Sequence, residues 1–104
     1  MSISESDIAF IYELFQEIDG LSHRKMMGGL SLYADGQIFA ILSAEGVPYL
    51  KAKGDFARAM MAEGSTRFEM GDGRGMDYYT LPDSALDDPS EASAWGRRAL
   101  AALR

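Results

Sequence analysis

The chain has 104 residues, enough for one domain with its own core and no need of covalent staples. Hydrophobic residues at 47% exclude a disordered polar chain, and the absence of cysteine excludes disulfides, thiol nucleophiles, cysteine-bound zinc and iron–sulfur ligation together. A formal net charge of −6 argues against autonomous nucleic-acid binding, which depends on cations neutralising phosphates, and against anionic membrane surfaces.

The start, Met1 to Asp7, lacks the basic n-region and apolar run of a secretory signal. No stretch approaches the ~20 apolar residues of a membrane span. These features predict a cytoplasmic protein. The first element is a helix: Ser4 and Asp7 have capping-box spacing, Ile3 and Ile8 sit where a hydrophobic staple closes, and Ile8, Ile11, Phe15 and Ile18 share one face. Gly20 is its expected stop. His23-Arg24-Lys25 then reads as a basic link, followed by Met26-Met27-Gly28-Gly29.

Leu30 to Tyr33 alternates like a strand, and Asp35-Gly36 is a strong hairpin signal. Gln37 to Ser43 is apolar on both faces, as a central strand is. After the turn Ala44-Glu45-Gly46, Val47 to Lys53 predicts a third strand. Tyr49 and Lys51 fall on one side of it, Leu50 and Ala52 on the other, and Pro48 marks a strand start or an edge. Asp55 is placed to cap a short helix reaching Glu63, with Phe56 and Met60 inward and Gly64 just past its end. Two strands follow, Thr66–Met70 and Met76–Leu81, joined by the loop Gly71-Asp72-Gly73-Arg74-Gly75. Pro82 ends the sheet and Leu86 sits on a short helical turn. Asp88 caps the last helix, Pro89 opens it, and Ala92, Trp95, Ala99 and Leu103 form its inner face. The expected fold is one α+β domain over residues 1–104, in the order α-βββ-α-ββ-α. Its mainly antiparallel sheet has about five strands, covered on one face by the N-terminal and C-terminal helices.

Four segments, in order, are similar to the TfoX (Sxy) N-terminal domain family. Residues Met26 to Ala40 resemble its signature, roughly R-x-M-F-G-G-x-G-L-Y-x-D-G-x-x-F-A, with Met27 where the family usually has Phe and Ser31 where it usually has Gly. Tyr49-Leu50-Lys51 resembles its Y-L-K strand, and Met76 to Pro82 its M-x-Y-Y-x-x-P segment. Leu86-Asp87-Asp88 with Trp95 and Ala99 resembles its closing helix. The resemblance implies a regulator-like module akin to bacterial competence regulators, whose longer members carry a second, helical domain. It implies a stand-alone N-terminal-type domain here.

The residues themselves nominate few chemical sites. His23 is the only histidine, so no His pair can bind a metal. The Gly71-x-Gly73-x-Gly75 spacing lacks the following helix of a phosphate loop. Asp88 is explained as a helix cap, and the serines have no nucleophile elbow. No catalytic, cofactor or metal residue is assigned. The candidate contacts are Arg24, Lys25, Gly28 and Gly29, as an anion site, and Tyr33, Tyr49, Tyr78 and Tyr79, as a tyrosine-rich sheet face. Met26, Met27, Met60 and Met61 suit core filling or an adaptable surface.

The expected function is a non-enzymatic regulatory module acting through a protein partner. Self-pairing through a strand edge or helix face is open to it. The alternatives are a small-molecule or anion-binding domain on the tyrosine face with Arg24 and Lys25, and an enzyme with no visible catalytic set.

Overall fold

A computed structural model of the chain describes residues 3–26, 28–69 and 75–103. Met1, Ser2, Met27, the loop stretch 70–74 and Arg104 lie outside the described residues, so the expectations placed on Met27 and the glycine loop are not tested by it.

Helix α1 (Glu5–Leu14) opens as its sequence demands. The Ser4 side chain accepts from the Asp7 N–H while the Asp7 carboxylate accepts from the Ser4 N–H. Its end differs from expectation. The helix stops at Phe15, not at Gly20, because a partner distant in sequence takes over its last backbone groups. The buried Ser93 hydroxyl donates to the Leu14 carbonyl oxygen (3.2 Å) and accepts from the Glu17 N–H (3.3 Å). Phe15 and Ile18 still reach the core from the turn that follows.

The segment expected to be a basic link is a strand, β1 (Leu21–Met26), which makes the sheet six-stranded. Five of its six residues are exposed, so it carries no alternating pattern for periodicity to detect. It is held by antiparallel pairing to β2 (Gly29–Ala34). Asp35 and Gly36 both take positive φ, as a tight two-residue hairpin turn requires, and return the chain into β3 (Gln37–Leu42). The β2–β3 register slips between Leu32 and Tyr33, which face Ala40 and Ile38 and leave Phe39 as the extra residue of a bulge. The bulge drives Phe39 into the core, edge-on to Phe15 at 5.4 Å.

Strand β4 (Pro48–Lys51) begins at Pro48 and lies inside the sheet, so of the two readings of that proline the strand start holds. Helix α2 (Gly54–Ala62) follows. Lys53, not Asp55, occupies its cap position and offers no side-chain bond; Asp55 sits in the first turn, paired with Arg58. Strands β5 (Arg67–Glu69) and β6 (Gly75–Thr80) complete a fully antiparallel sheet in the order β1-β2-β3-β4-β6-β5. A 3-10 turn (Asp83–Ala85) leads to α3 (Pro89–Ala102), whose first turn donates from Ser90 and Glu91 to the Asp88 carboxylate.

One core forms between the sheet and the helices. Leu30, Leu32, Leu42, Leu50, Tyr79 and Leu81 supply the sheet side; Ile11, Leu14, Phe56, Met60, Trp95 and Ala99 supply the helix side. Gly96 lets α3 settle against α1. A Cβ there would lie 2.6 Å from the Ile18 Cδ1 and 3.3 Å from ring carbons of Phe15 and Phe39. Arg98 closes the outside, its guanidinium 4.3 Å above the Trp95 ring. The fold is thus α+β with its helical layer on one side of the sheet.

Candidate functional site

The other side of the sheet carries no helix among the described residues. In antiparallel pairs, opposed residues point to the same side. Pairing therefore puts Arg24, Ser31, Ile41 and Tyr49 in one row across β1 to β4, with Tyr33 opposite Ile38 and Lys51 opposite Tyr78. These residues alternate with the core residues Leu30, Leu32, Leu42 and Leu50.

This side is hollow. Ser31 (2% exposed), Ile41 (7%) and Tyr78 (7%) are buried although Ile41 and Tyr78 stand outside the helical core cluster. Their cover comes from neighbouring strands. Tyr49 and Phe68 meet edge to face at 4.9 Å, and Met26 stands at the rim, 42% exposed. The hollow encloses about 430 Å3, with Met26, Ile38, Ile41, Phe68, Met76 and Tyr78 as its apolar wall and Glu45 and Glu69 as its charged residues.

Polar groups are few and specific. The Ser31 hydroxyl hydrogen serves the Tyr33 hydroxyl oxygen at 3.2 Å or the Arg24 carbonyl oxygen at 3.4 Å. The Arg24 guanidinium lies 6.0 Å from the Tyr33 ring centre. Burial, and secondarily the nearby Tyr33, raises the Tyr78 phenol above its ordinary pKa. Burial and then the Glu45 carboxylate do the same for Tyr49. Tyr49 and Tyr78 therefore keep their hydroxyl protons at physiological pH and act as neutral hydrogen-bonding rings.

The expected contact residues divide. Arg24, Tyr33, Tyr49 and Tyr78 share the open side. Tyr79 does not: it pairs with Leu50 and belongs to the helical core, because neighbouring strand residues point to opposite sides. Lys25 pairs with Leu30 and so points to the helical side, away from Arg24, together with His23, whose Nδ1 is 2.7 Å from the Tyr12 hydroxyl of α1. The basic cluster is thus split across the sheet. Gly28 is an exposed turn residue whose carbonyl accepts from the Ile3 N–H. Gly29 is buried where its own backbone passes Leu42 and Ser43, and an added Cβ would strike the Leu42 carbonyl oxygen. Its smallness serves strand packing. Met26, nominated from the sequence for core filling or an adaptable surface, stands at the rim; sequence reasoning missed Ile38, Ile41, Phe68 and Met76 as wall residues. The signal was available in β3, whose second apolar face already implied a second apolar surface.

A second hollow, about 370 Å3, lies between the turn after α1 and α3, where Glu17 approaches Arg97 at 3.9 Å. Glu17, Asp19 and Asp35 there are exposed and solvated, and no aromatic ring joins them. Among the described residues, no group of three or more His, Asp or Glu side chains is placed to hold a metal ion.

A six-stranded antiparallel sheet, with helices on one side and a hollow walled by Met, Ile, Phe and Tyr78 on the other, defines a small α+β domain. The model of the TfoX N-terminal domain matches residues 13–103, and the chain belongs to that family. No curated protein matches it.

Proposed function

We propose that this chain is a non-enzymatic regulatory module of the TfoX N-terminal type, acting in the bacterial cytoplasm, and that it engages a protein partner through the open side of its sheet. The observation that supports this most is burial without a helix: Ile41 and Tyr78 line a concave surface walled by Met, Phe and Tyr. Those residue types are enriched where proteins meet, and methionine adapts its shape to what it touches. The size of the hollow also favours a second reading, a small apolar ligand, since such ligands occupy pockets of roughly 300–1,000 Å3. Among the described residues no helix is long and apolar enough to cross a membrane.

The test compares capture of host proteins by three tagged chains. One is wild type, one carries Met26→Asp with Tyr49→Ser on the open side, and one carries Phe10→Asp with Met61→Asp on exposed helical positions. A partner retained by the first and third and lost by the second supports the reading. Equal capture by all three refutes it.

A further inference from the structure

The hollow has a one-sided electrostatic character. Its wall is apolar and aromatic, and among the described residues its charged members are two carboxylates, Glu45 in the β3–β4 turn and Glu69 at the end of β5. The cations of the same sheet side stand elsewhere. Arg24 lies over Tyr33, and Lys51, although paired across from the wall residue Tyr78, is at the far end of β4 from that turn and does not line the hollow. Glu45 acts on the ring that backs this wall: it adds to burial in raising the Tyr49 phenol, and Tyr49 packs on the wall ring Phe68. Carboxylates beside ring faces in a half-closed apolar site favour a cation on an apolar stem. An anionic group would meet two like charges, and a purely apolar one would gain nothing from the two carboxylates.

Resting on the reading of this side as the docking surface, we infer that the hollow seats an arginine or lysine side chain presented by the protein partner. Its stem lies against Ile41, Met26 and Met76, and its charged head is directed to Glu45 and Glu69. Arginine suits the site better than lysine, because its guanidinium is weakly hydrated and stacks on aromatic faces.

Three blocked pentapeptides test this, identical but for a central arginine, citrulline or glutamate between leucines. Citrulline keeps the shape of arginine and removes its charge. Each is titrated into the full chain while the methyl resonances of Met26, Ile41 and Met76 are followed. The arginine peptide is expected to shift all three and to bind roughly tenfold more tightly than the citrulline peptide, with the glutamate peptide weakest. Both carboxylates are exposed, so the E45Q/E69Q variant should retain its spectrum elsewhere, and in it the preference for arginine should fall below about twofold. Equal binding of arginine and citrulline peptides at these methyls would overturn the charge assignment while leaving the docking surface standing. Tighter binding of the glutamate peptide would also overturn it. Shifts absent with every peptide would overturn both this inference and the reading beneath it.

Discussion

At the residue scale, the side chain that ties the two ends of the fold together is Ser93. Its hydroxyl serves a carbonyl and an N–H left over at the end of α1, seventy-nine and seventy-six positions away. Alanine there strands the buried Leu14 carbonyl and the part-buried Glu17 N–H, so Ser93→Ala should cost about 1–3 kcal/mol, read as a lower midpoint in thermal or urea unfolding. Tyr78 makes a pH-dependent contribution. Its pKa is raised above the ordinary phenol value of 10.0, so the folded state holds the proton more tightly than the unfolded chain. Below pH 10.0 both states are protonated and the contribution is intact. Above it the unfolded chain ionises first, and stability falls until the folded phenol also loses its proton. Thermal midpoints should therefore decline more steeply above about pH 10 in wild type than in Tyr78→Phe; parallel profiles would remove Tyr78 from the account.

At the element scale, the contact between α1 and α3 rests on Gly96. Alanine would gain roughly 1 kcal/mol of helix propensity but would crowd Ile18, Phe15 and Phe39, and overpacking typically costs about 1–3 kcal/mol. Because two of those neighbours are rings locked together in the core, the second effect should win by about 1 kcal/mol, measured by denaturant unfolding of Gly96→Ala. Elements whose signals are local were legible in the sequence. They include the Ser4 capping box, the Asp35-Gly36 turn, the alternation through Tyr49 to Ala52, and the Asp88 and Pro89 start of α3. Those decided by distant partners were not. Strand β1 is made by its pairing to β2 alone, and α1 ends where Ser93 reaches it. The candidate site was half legible for the same reason. Period-two alternation separates Tyr78 from Tyr79 and Arg24 from Lys25, but which side is covered depends on where the helices pack. The bulge at Phe39, invisible in the pattern, sets Ile38 and Ile41 three positions apart on one side.

At the scale of the whole molecule, a sheet with helices on one side must do something with the other. Here that side is curved enough to bury its own central residues, and it concentrates aromatic and methionine side chains instead of the usual solvated polar ones. Membership of the TfoX N-terminal family covers nearly this whole structure, since the match begins within α1 and runs to the end of α3.

Strand β1 also governs how copies of the chain behave toward one another. No backbone hydrogen bond among the described residues satisfies its outer edge, which makes it a template for strand addition and, in crowded solution, for fibrous growth. Two such edges meeting antiparallel would bring His23, Arg24 and Lys25 of one copy against the same residues of the other. That repulsion acts as a gatekeeper whose strength depends on ionic strength, because the screening length shrinks from about 10 Å at 0.1 M to about 3 Å at 1 M. The chain should therefore scatter light as a stable species in dilute buffer and grow in apparent mass in concentrated salt. Arg24→Glu with Lys25→Glu in a mixture with wild type should associate already at low salt, as opposite edges attract.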